Sequence, residues 1–178
     1  MTDLGQVPIL GTTREPLTAR NKTEQGSTAF AEGRSFRAYF SGELADGEVR
    51  TFEIETPIDI DVTSIALNVD AGEVEYQNQV IPTTVGGFVD LLPFFRLNSR
   101  TDVTEPAYTA RTIIRTGGTI SGGVEIDRAV VRTGTNNQRA SIIEEAQSRR
   151  GASPGTYYIS LVGGANNTKY TLYATWEE

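Results

Sequence analysis

Apolar and polar residues alternate along most of the chain after its first 34 residues. One run places Phe36, Ala38 and Phe40 on a single face. A period of two is typical of strands that bury one face and expose the other. Further runs of this kind occupy 49–80, 109–133 and 156–176. Turn residues separate the runs, so the pattern predicts eight or more short strands.

The strand pattern predicts an all-β fold for residues 35–178. Many short strands with turn signals between them favour a single antiparallel β-sandwich of jelly-roll-like type. Asp46-Gly47 lies between two alternating runs, and an Asp-Gly pair in that position favours a β-hairpin.

Helical spacing appears at 140–149, where Ile142, Ile143 and Ala146 fall on one side of a helix. Acidic residues come early in this segment and arginines late, which suits the helix dipole. We therefore expect a short helix that ends at Gly151.

Residues 1–34 differ in composition, because apolar residues are few and show no sustained period. Such a segment buries too little apolar surface to fold alone. It is either a disordered tail or an extended N-terminal arm that binds a partner. The arm hypothesis gives five candidate partner-binding residues: Ile9, Leu10, Arg14, Leu17 and Arg20.

The absence of His and Cys narrows the chemistry of this chain. Imidazole acid–base catalysis, His-containing triads, thiolate chemistry and His- or Cys-ligated zinc all need these residues. Only two lysines are present, which leaves little scope for Schiff-base catalysis. We therefore expect a protein that is not an enzyme, with no catalytic residue, no metal site and no cofactor.

Charge and hydropathy limit the partners. The net charge is −7 and the isoelectric point about 4.7, whereas nucleic-acid-binding modules carry a basic face. No apolar run approaches the roughly 20 residues of a membrane span, and the first residues do not resemble a secretory signal. We expect neither nucleic acid nor membrane as a partner.

Three pairs of carboxylates have i, i+2 spacing, which places both members of a pair on one face of a strand. One interpretation is a glycosidase pair or a site for a hard cation. The other is the solvent face of strands whose opposite face is apolar, and the intervening Ile54, Ile60 and Val74 favour it. The pairs are Glu53/Glu55, Asp59/Asp61 and Glu73/Glu75.

Two groups of apolar residues suggest binding surfaces. The C-terminal aromatic residues form either a sugar-binding platform or a cross-strand ladder in the core; they are Tyr157, Tyr158, Tyr170, Tyr173 and Trp176. A long central connection is unusually apolar, and exposed apolar loops mark interfaces. Its candidate oligomer or capsid contacts are Phe88, Leu91, Leu92, Phe94 and Phe95.

A series of short motifs from Phe36 to the C-terminus resembles small virion structural proteins of tailed bacteriophages. The motifs run in the order Gly86-Gly87-Phe88, Pro93-Phe94-Phe95-Arg96-Leu97-Asn98, Pro106-Ala107-Tyr108, Thr116-Gly117-Gly118-Thr119-Ile120-Ser121-Gly122-Gly123, and Pro154-Gly155-Thr156-Tyr157-Tyr158 before a final Trp176-Glu177-Glu178. The stretch 140–150 departs from the pattern, because it is more charged than the Gly/Ser loop expected there.

The resemblance implies a head decoration (cement) protein that binds the outer surface of the assembled capsid and stabilises it. The major capsid protein and further copies of this chain, as a trimer or dimer, are then the expected partners. The expected location is the exterior of the virion, after synthesis in the bacterial cytoplasm. The alternative is a tail- or fibre-associated adhesin that binds host glycans through the C-terminal aromatic residues.

Overall fold

The computed structural model describes residues 29–30, 32–97, 108–133, 140–165 and 167–178. Thirteen strands are found in these residues. Their bounds are β1 Ser35–Leu44, β2 Val49–Thr56, β3 Ile60–Ala71, β4 Glu73–Val80, β5 Thr84–Gly86, β6 Asp90–Leu91, β7 Phe94–Arg96, β8 Ile113–Thr116, β9 Thr119–Ser121, β10 Val124–Arg132, β11 Ala140–Ala152, β12 Gly155–Gly163 and β13 Thr168–Glu177.

Two antiparallel sheets contain most of these strands. Sheet 1 has the order β11-β3-β13-β1-β7, and sheet 2 has the order β10-β4-β12-β2-β8-β6. A small third sheet pairs β5 with β9. The all-β antiparallel sandwich expected from the alternation is confirmed.

Eight strands give the sandwich its jelly-roll topology. The first four pair with the last four in nested order, β4 with β10, β3 with β11, β2 with β12 and β1 with β13. This long ribbon closes on itself because β13 also pairs with β3, and β12 also pairs with β4. Each of the last two strands thus lies between two of the first four.

The hydrophobic core lies between the inward faces of the two sheets. Phe40 of β1 stacks on Phe52 of β2 across the gap, with ring centroids 4.6 Å apart. At the other end of β1, Phe36 stacks on Trp176 at 5.6 Å. From Phe36 to Phe40 the buried residues of β1 recur every second position, as a strand with one buried face requires.

The connection between β4 and β10, residues 81–123, is an insertion that extends both sheets on the same side. Its strand β7 adds to the edge of β1, and β8 and β6 add to the edge of β2. The insertion therefore covers part of the sandwich edge that β1 and β2 would otherwise expose.

Two local predictions are wrong. Asp46-Gly47 does form a turn, with Gly47 at φ 72°, but it joins strands of different sheets instead of a β-hairpin, because β13 and β12 pair with β1 and β2. The segment expected to be a helix is strand β11, paired with β3. Tertiary pairing has overridden the local helical spacing there.

The arm lies mostly outside the described residues, as do its candidate contacts Ile9, Leu10, Arg14, Leu17 and Arg20. Its last part packs on the sandwich. Ala29 is buried, and the backbone N–H of Arg34 donates to the carbonyl of Ala29 at 2.7 Å. The first strand begins at Ser35.

Glu178 joins three segments of the chain. Its carboxylate accepts hydrogen bonds from the backbone N–H groups of Arg111 (2.8 Å) and Thr112 (3.0 Å). Its own backbone N–H donates to the carbonyl of Arg34 at 2.9 Å. Burial works to raise the pKa of the Glu178 carboxyl, but the two backbone donors and the Trp176 indole together hold that pKa below its usual value.

We predict that Glu178→Gln lowers the free energy of unfolding at pH 7 by about 1–3 kcal/mol, because charge-assisted hydrogen bonds to a half-buried carboxylate are lost. A carboxyl whose folded pKa is lowered stabilises the fold only while it is ionised, so this contribution is present above the unfolded pKa and disappears as the pH falls through the folded pKa. Urea denaturation between pH 7 and 3 measures both effects.

The exposed Glu43 provides the matched control, because it has no buried partner to lose. Glu43→Gln should follow the wild-type curve within about 0.5 kcal/mol at each pH. A Glu178→Gln variant that shows the full wild-type loss of stability between pH 5 and 3 would contradict the assignment.

Candidate interaction surfaces

The carboxylate pair of β2 holds an arginine. Arg115 of β8 donates to Glu53 at 2.7 Å and to Glu55 at 2.8 Å through the same nitrogen, Nη1. These two acceptors raise the pKa of the Arg115 guanidinium. Glu53 also accepts a hydrogen bond from the Tyr158 hydroxyl at 3.4 Å. The pair is thus engaged in cross-strand ion pairing.

The pair on β4 is engaged in the same way by β10. Glu75 lies 2.8 Å from Arg128, and Glu73 forms an ion pair with Arg132. The third pair, Asp59/Asp61, lies on exposed positions at the start of β3. No group of three or more His, Cys, Asp or Glu residues suited to a metal ion occurs among the described residues. The intervening Ile60 and Val74 are buried and Ile54 packs against the core, so these carboxylates lie on the outer faces of their strands.

The C-terminal aromatic residues are divided between the core and the surface. Trp176 is only 4% exposed and packs against Phe36 and Phe94. Tyr170 belongs to the same core, whereas Tyr158 is buried on the outer face of sheet 2 beside Glu53 and Phe88. Tyr173 lies on the outer face of sheet 1 and packs against the exposed Tyr39 at 5.2 Å. The core interpretation therefore describes Trp176 and Tyr170, and Tyr157 and Tyr173 are half-buried.

The five candidate contacts in the insertion are likewise divided. Leu92 and Phe94 pack against the core, and Phe88 is half-buried against Tyr158 at 5.8 Å. Leu91 is 70% exposed and Phe95 is 63% exposed. Leu92 and Phe94 face inward, whereas Leu91 lies beside Arg115 on the outer face of sheet 2 and Phe95 lies beside Arg37 on the outer face of sheet 1.

Further apolar side chains of the insertion face solvent in the chain as described. Together with Leu91 and Phe95 they form a set that we call the exposed insertion residues: Ile81, Val85, Val89, Leu91 and Phe95. Large exposed apolar side chains are typical of protein interfaces, and in this set Leu91 and Phe95 lie on the outer faces of different sheets. Sequence reasoning missed Ile81, Val85 and Val89, although the same apolar connection contains them.

Beyond β7, the edge of β1 is open. Phe94 lies opposite Ala38, so the next residue of the insertion, Pro93, would lie opposite Tyr39. Proline has no N–H to donate, and the chain turns to sheet 2, where Leu92 donates to Ile114 at 2.9 Å. In the described part of the chain, no strand pairs with this side of β1 after Ala38.

The register identifies the backbone groups on this open edge. The carbonyl of Ser35 accepts a hydrogen bond from the N–H of Leu97, on the side of β1 that faces β7. In a strand, the N–H and C=O groups of successive residues point to opposite sides. The N–H and C=O groups of Tyr39, Ser41 and Glu43 therefore point to the open side, where the described residues offer them no strand partner.

A cleft of about 610 Å³ lies beside this edge, between β1 and β2. Its apolar lining includes Phe40, Phe52 and Leu92, and the turn from Thr116 to Thr119 forms another wall. Arg50 also lines it and forms an ion pair with Glu48 at 3.1 Å. We call this the edge cleft. It combines unpaired strand backbone with apolar surface.

A second, smaller cavity lies within the sandwich. It has a volume of about 180 Å³ and a mainly apolar lining that includes Ile54, Ile114 and Ile159. Asn78 occupies a core-facing position of β4 beside this cavity, and its buried Oδ1 has no hydrogen-bond partner among the described residues. An unpaired amide oxygen in such surroundings is destabilising.

Comparison of the sequence with models of known protein families and with curated proteins gives no match. Among the described residues, no helix has the length and apolar character needed to cross a bilayer. Function must therefore be argued from the surfaces themselves.

We predict that Trp176→Ala lowers the free energy of unfolding by about 3–5 kcal/mol, because it opens a large cavity among packed aromatic rings. Tyr173→Ala, on the outer face of the same strand, should cost about 1 kcal/mol. Urea denaturation of both variants measures the difference. A Trp176→Ala protein of unchanged stability would show that the indole does not belong to the core.

We also predict that Asn78→Leu raises the free energy of unfolding by about 1 kcal/mol, since it removes an unpaired buried oxygen and fills apolar space. Gln79→Leu, on the opposite face of the same strand, should change stability by no more than about 0.5 kcal/mol. Thermal and urea unfolding test this, and a destabilised Asn78→Leu protein would contradict it.

Proposed function

We propose that this chain is a non-enzymatic decoration protein of a tailed-bacteriophage head, which binds the outer capsid surface and stabilises the shell. The observation that carries the proposal is the set of exposed insertion residues, which are five of the eleven exposed large apolar residues in the described part of the chain. Leu91 and Phe95 expose most of their side chains to solvent, and apolar residues in such positions favour protein contacts.

The charged groups support a binding role over a catalytic one. The carboxylates of β2 and β4 are paired with arginines of β8 and β10, which leaves them poorly placed to transfer protons. A jelly roll alone does not define a function, because the fold serves many. The family resemblance of the motifs from Phe36 to Glu178 directs the proposal to phage virions.

The proposed stabilisation is thermodynamic. A protein that binds the assembled shell but not free subunits shifts the equilibrium toward the shell by mass action. Many copies act together, so modest contacts suffice when each copy is held at several points. In this proposal the body contributes the exposed insertion residues, and the arm contributes Ile9, Leu10, Arg14, Leu17 and Arg20 toward neighbouring subunits, whether the copies act as dimers or trimers.

The adhesin alternative has narrower support. Three of the five C-terminal aromatic residues are buried, so a glycan would have to stack on the half-buried Tyr157 or on the Tyr39–Tyr173 pair. A cryo-electron microscopy reconstruction of the particle separates the two hypotheses. Repeated density over the head lattice supports decoration, and density confined to the tail or fibres supports the adhesin.

We predict that Leu91→Ser combined with Phe95→Ser lowers binding to heads that lack this protein by at least tenfold, with little change in folding stability, because both side chains are exposed in the free protein. Deletion of residues 1–28 should also lower occupancy while leaving the sandwich folded. Co-sedimentation with heads and thermal unfolding are the two measurements.

Val130→Ser is the matched control, since Val130 is an exposed apolar residue (53%) on β10 rather than on the insertion. It should bind heads like the wild type. Wild-type head binding by the Leu91/Phe95 variant would remove the main support for the proposal.

A further inference from the structure

We propose that residues 7–11 of a neighbouring copy bind as an added antiparallel strand along the open edge of β1, with apolar side chains in the edge cleft. This inference deepens the proposed function and rests on it, because it names the surface that the arm would contact. The strand would continue the position that β7 occupies beside Phe36–Ala38.

The edge meets the requirements of strand addition. Tyr39, Ser41 and Glu43 direct backbone donors and acceptors outward, and an extended peptide can satisfy all of them. The position is available because Pro93 ends the pairing of β7 at this point. Native proteins usually cover or blunt open strand edges, and in the described part of the chain this stretch of β1 is uncovered.

The composition of the arm fits the cleft. No charged residue occurs between Asp3 and Arg14, and this interval contains Pro8 and Leu10, the two residues whose side chains would face the cleft. An uncharged segment suits a lining that includes Phe40, Phe52 and Leu92, because it buries no unpaired charge.

Strand geometry also accommodates the proline of this segment. If the backbone groups of Val7, Ile9 and Gly11 face β1, those of Pro8 and Leu10 point the other way. The missing N–H of Pro8 then costs no hydrogen bond, and proline is tolerated on an outer edge of this kind. With Ile9 opposite Ser41, the side chain of Leu10 lies on the inward face next to Phe40.

The chain is long enough to reach another copy. From Gly11 to Ala29 there are 18 residue steps, which span up to about 60 Å when extended, whereas the radius of gyration of a domain of this size is about 15 Å. The described chain begins at the opposite end of β1, where Arg34 bonds to Glu178 and a Cβ on Gly33 would meet Arg96 of β7. To reach its own open edge, the arm would have to return past β7.

The absence of cysteine makes disulfide trapping a direct test. The full-length single-cysteine variants Ile9→Cys and Ser41→Cys, distinguished by mass, are mixed and oxidised at increasing concentration. We expect a mixed disulfide between the two chains that forms at least tenfold faster than with Ser153→Cys, an exposed serine in the turn between β11 and β12. Peptide mapping identifies the joined residues.

Two additional variants complete the test. Leu10→Asp in the Ile9→Cys chain should reduce the mixed disulfide at least tenfold, because it places a charge in the apolar cleft, whereas Thr18→Asp should not. The double variant Ile9→Cys with Ser41→Cys reveals docking within one chain, as an oxidised monomer. The proposal would be overturned if the oxidised monomer were the dominant product. It would also be overturned if the mixed disulfide formed no faster than with Ser153→Cys.

The experiment uses the protein without heads, so its failure is distinct from failure of the proposed function. A chain that binds heads but forms no mixed disulfide retains the decoration role and loses this inference. A chain that forms the disulfide but does not bind heads retains this inference and loses that role.

Discussion

The structure depends on the pairing of the last two strands between the first four. β13 lies between β1 and β3, and β12 lies between β2 and β4. Neither sheet is complete until the C-terminal strands are in place. The core around Phe40 and Phe52 therefore depends on the last part of the sequence to enclose it. Pairings of such long sequence separation carry a loop-closure cost and are typical of slow folding.

The same constraint explains which predictions from the sequence succeeded. Alternation identifies a strand and its buried face, because each strand shows its own pattern whatever its partner. It therefore predicted the sandwich and the inward positions of β1, such as Phe36 and Phe40. It did not identify partners. Asp46-Gly47 indicated a hairpin, but β1 and β2 bind β13 and β12 instead, and no local signal specifies that choice.

The prediction of a helix at 140–149 was wrong for a related reason. Its helical spacing is a local preference, whereas pairing with β3 is a gain from the whole fold. The C-terminal aromatic residues were a harder problem, because aromatic side chains suit both a core and a sugar-binding surface. Only the inward position of Trp176 and the outward position of Tyr173 separate the two, and this depends on which face of sheet 1 meets sheet 2.

The way in which the insertion covers the edges of the two sheets links the fold to binding. The insertion covers β1 as far as Ala38 and β2 at Glu53–Glu55, and it does so by turning Leu92 and Phe94 inward. Their neighbours Leu91 and Phe95 therefore face outward, Leu91 on sheet 2 and Phe95 on sheet 1, because successive residues of a strand face opposite sides. Covering one part of the edge thus exposes the apolar residues proposed to bind the head. Where Pro93 ends that cover, backbone groups and the apolar cleft meet, so the one insertion gives rise to both candidate interaction surfaces.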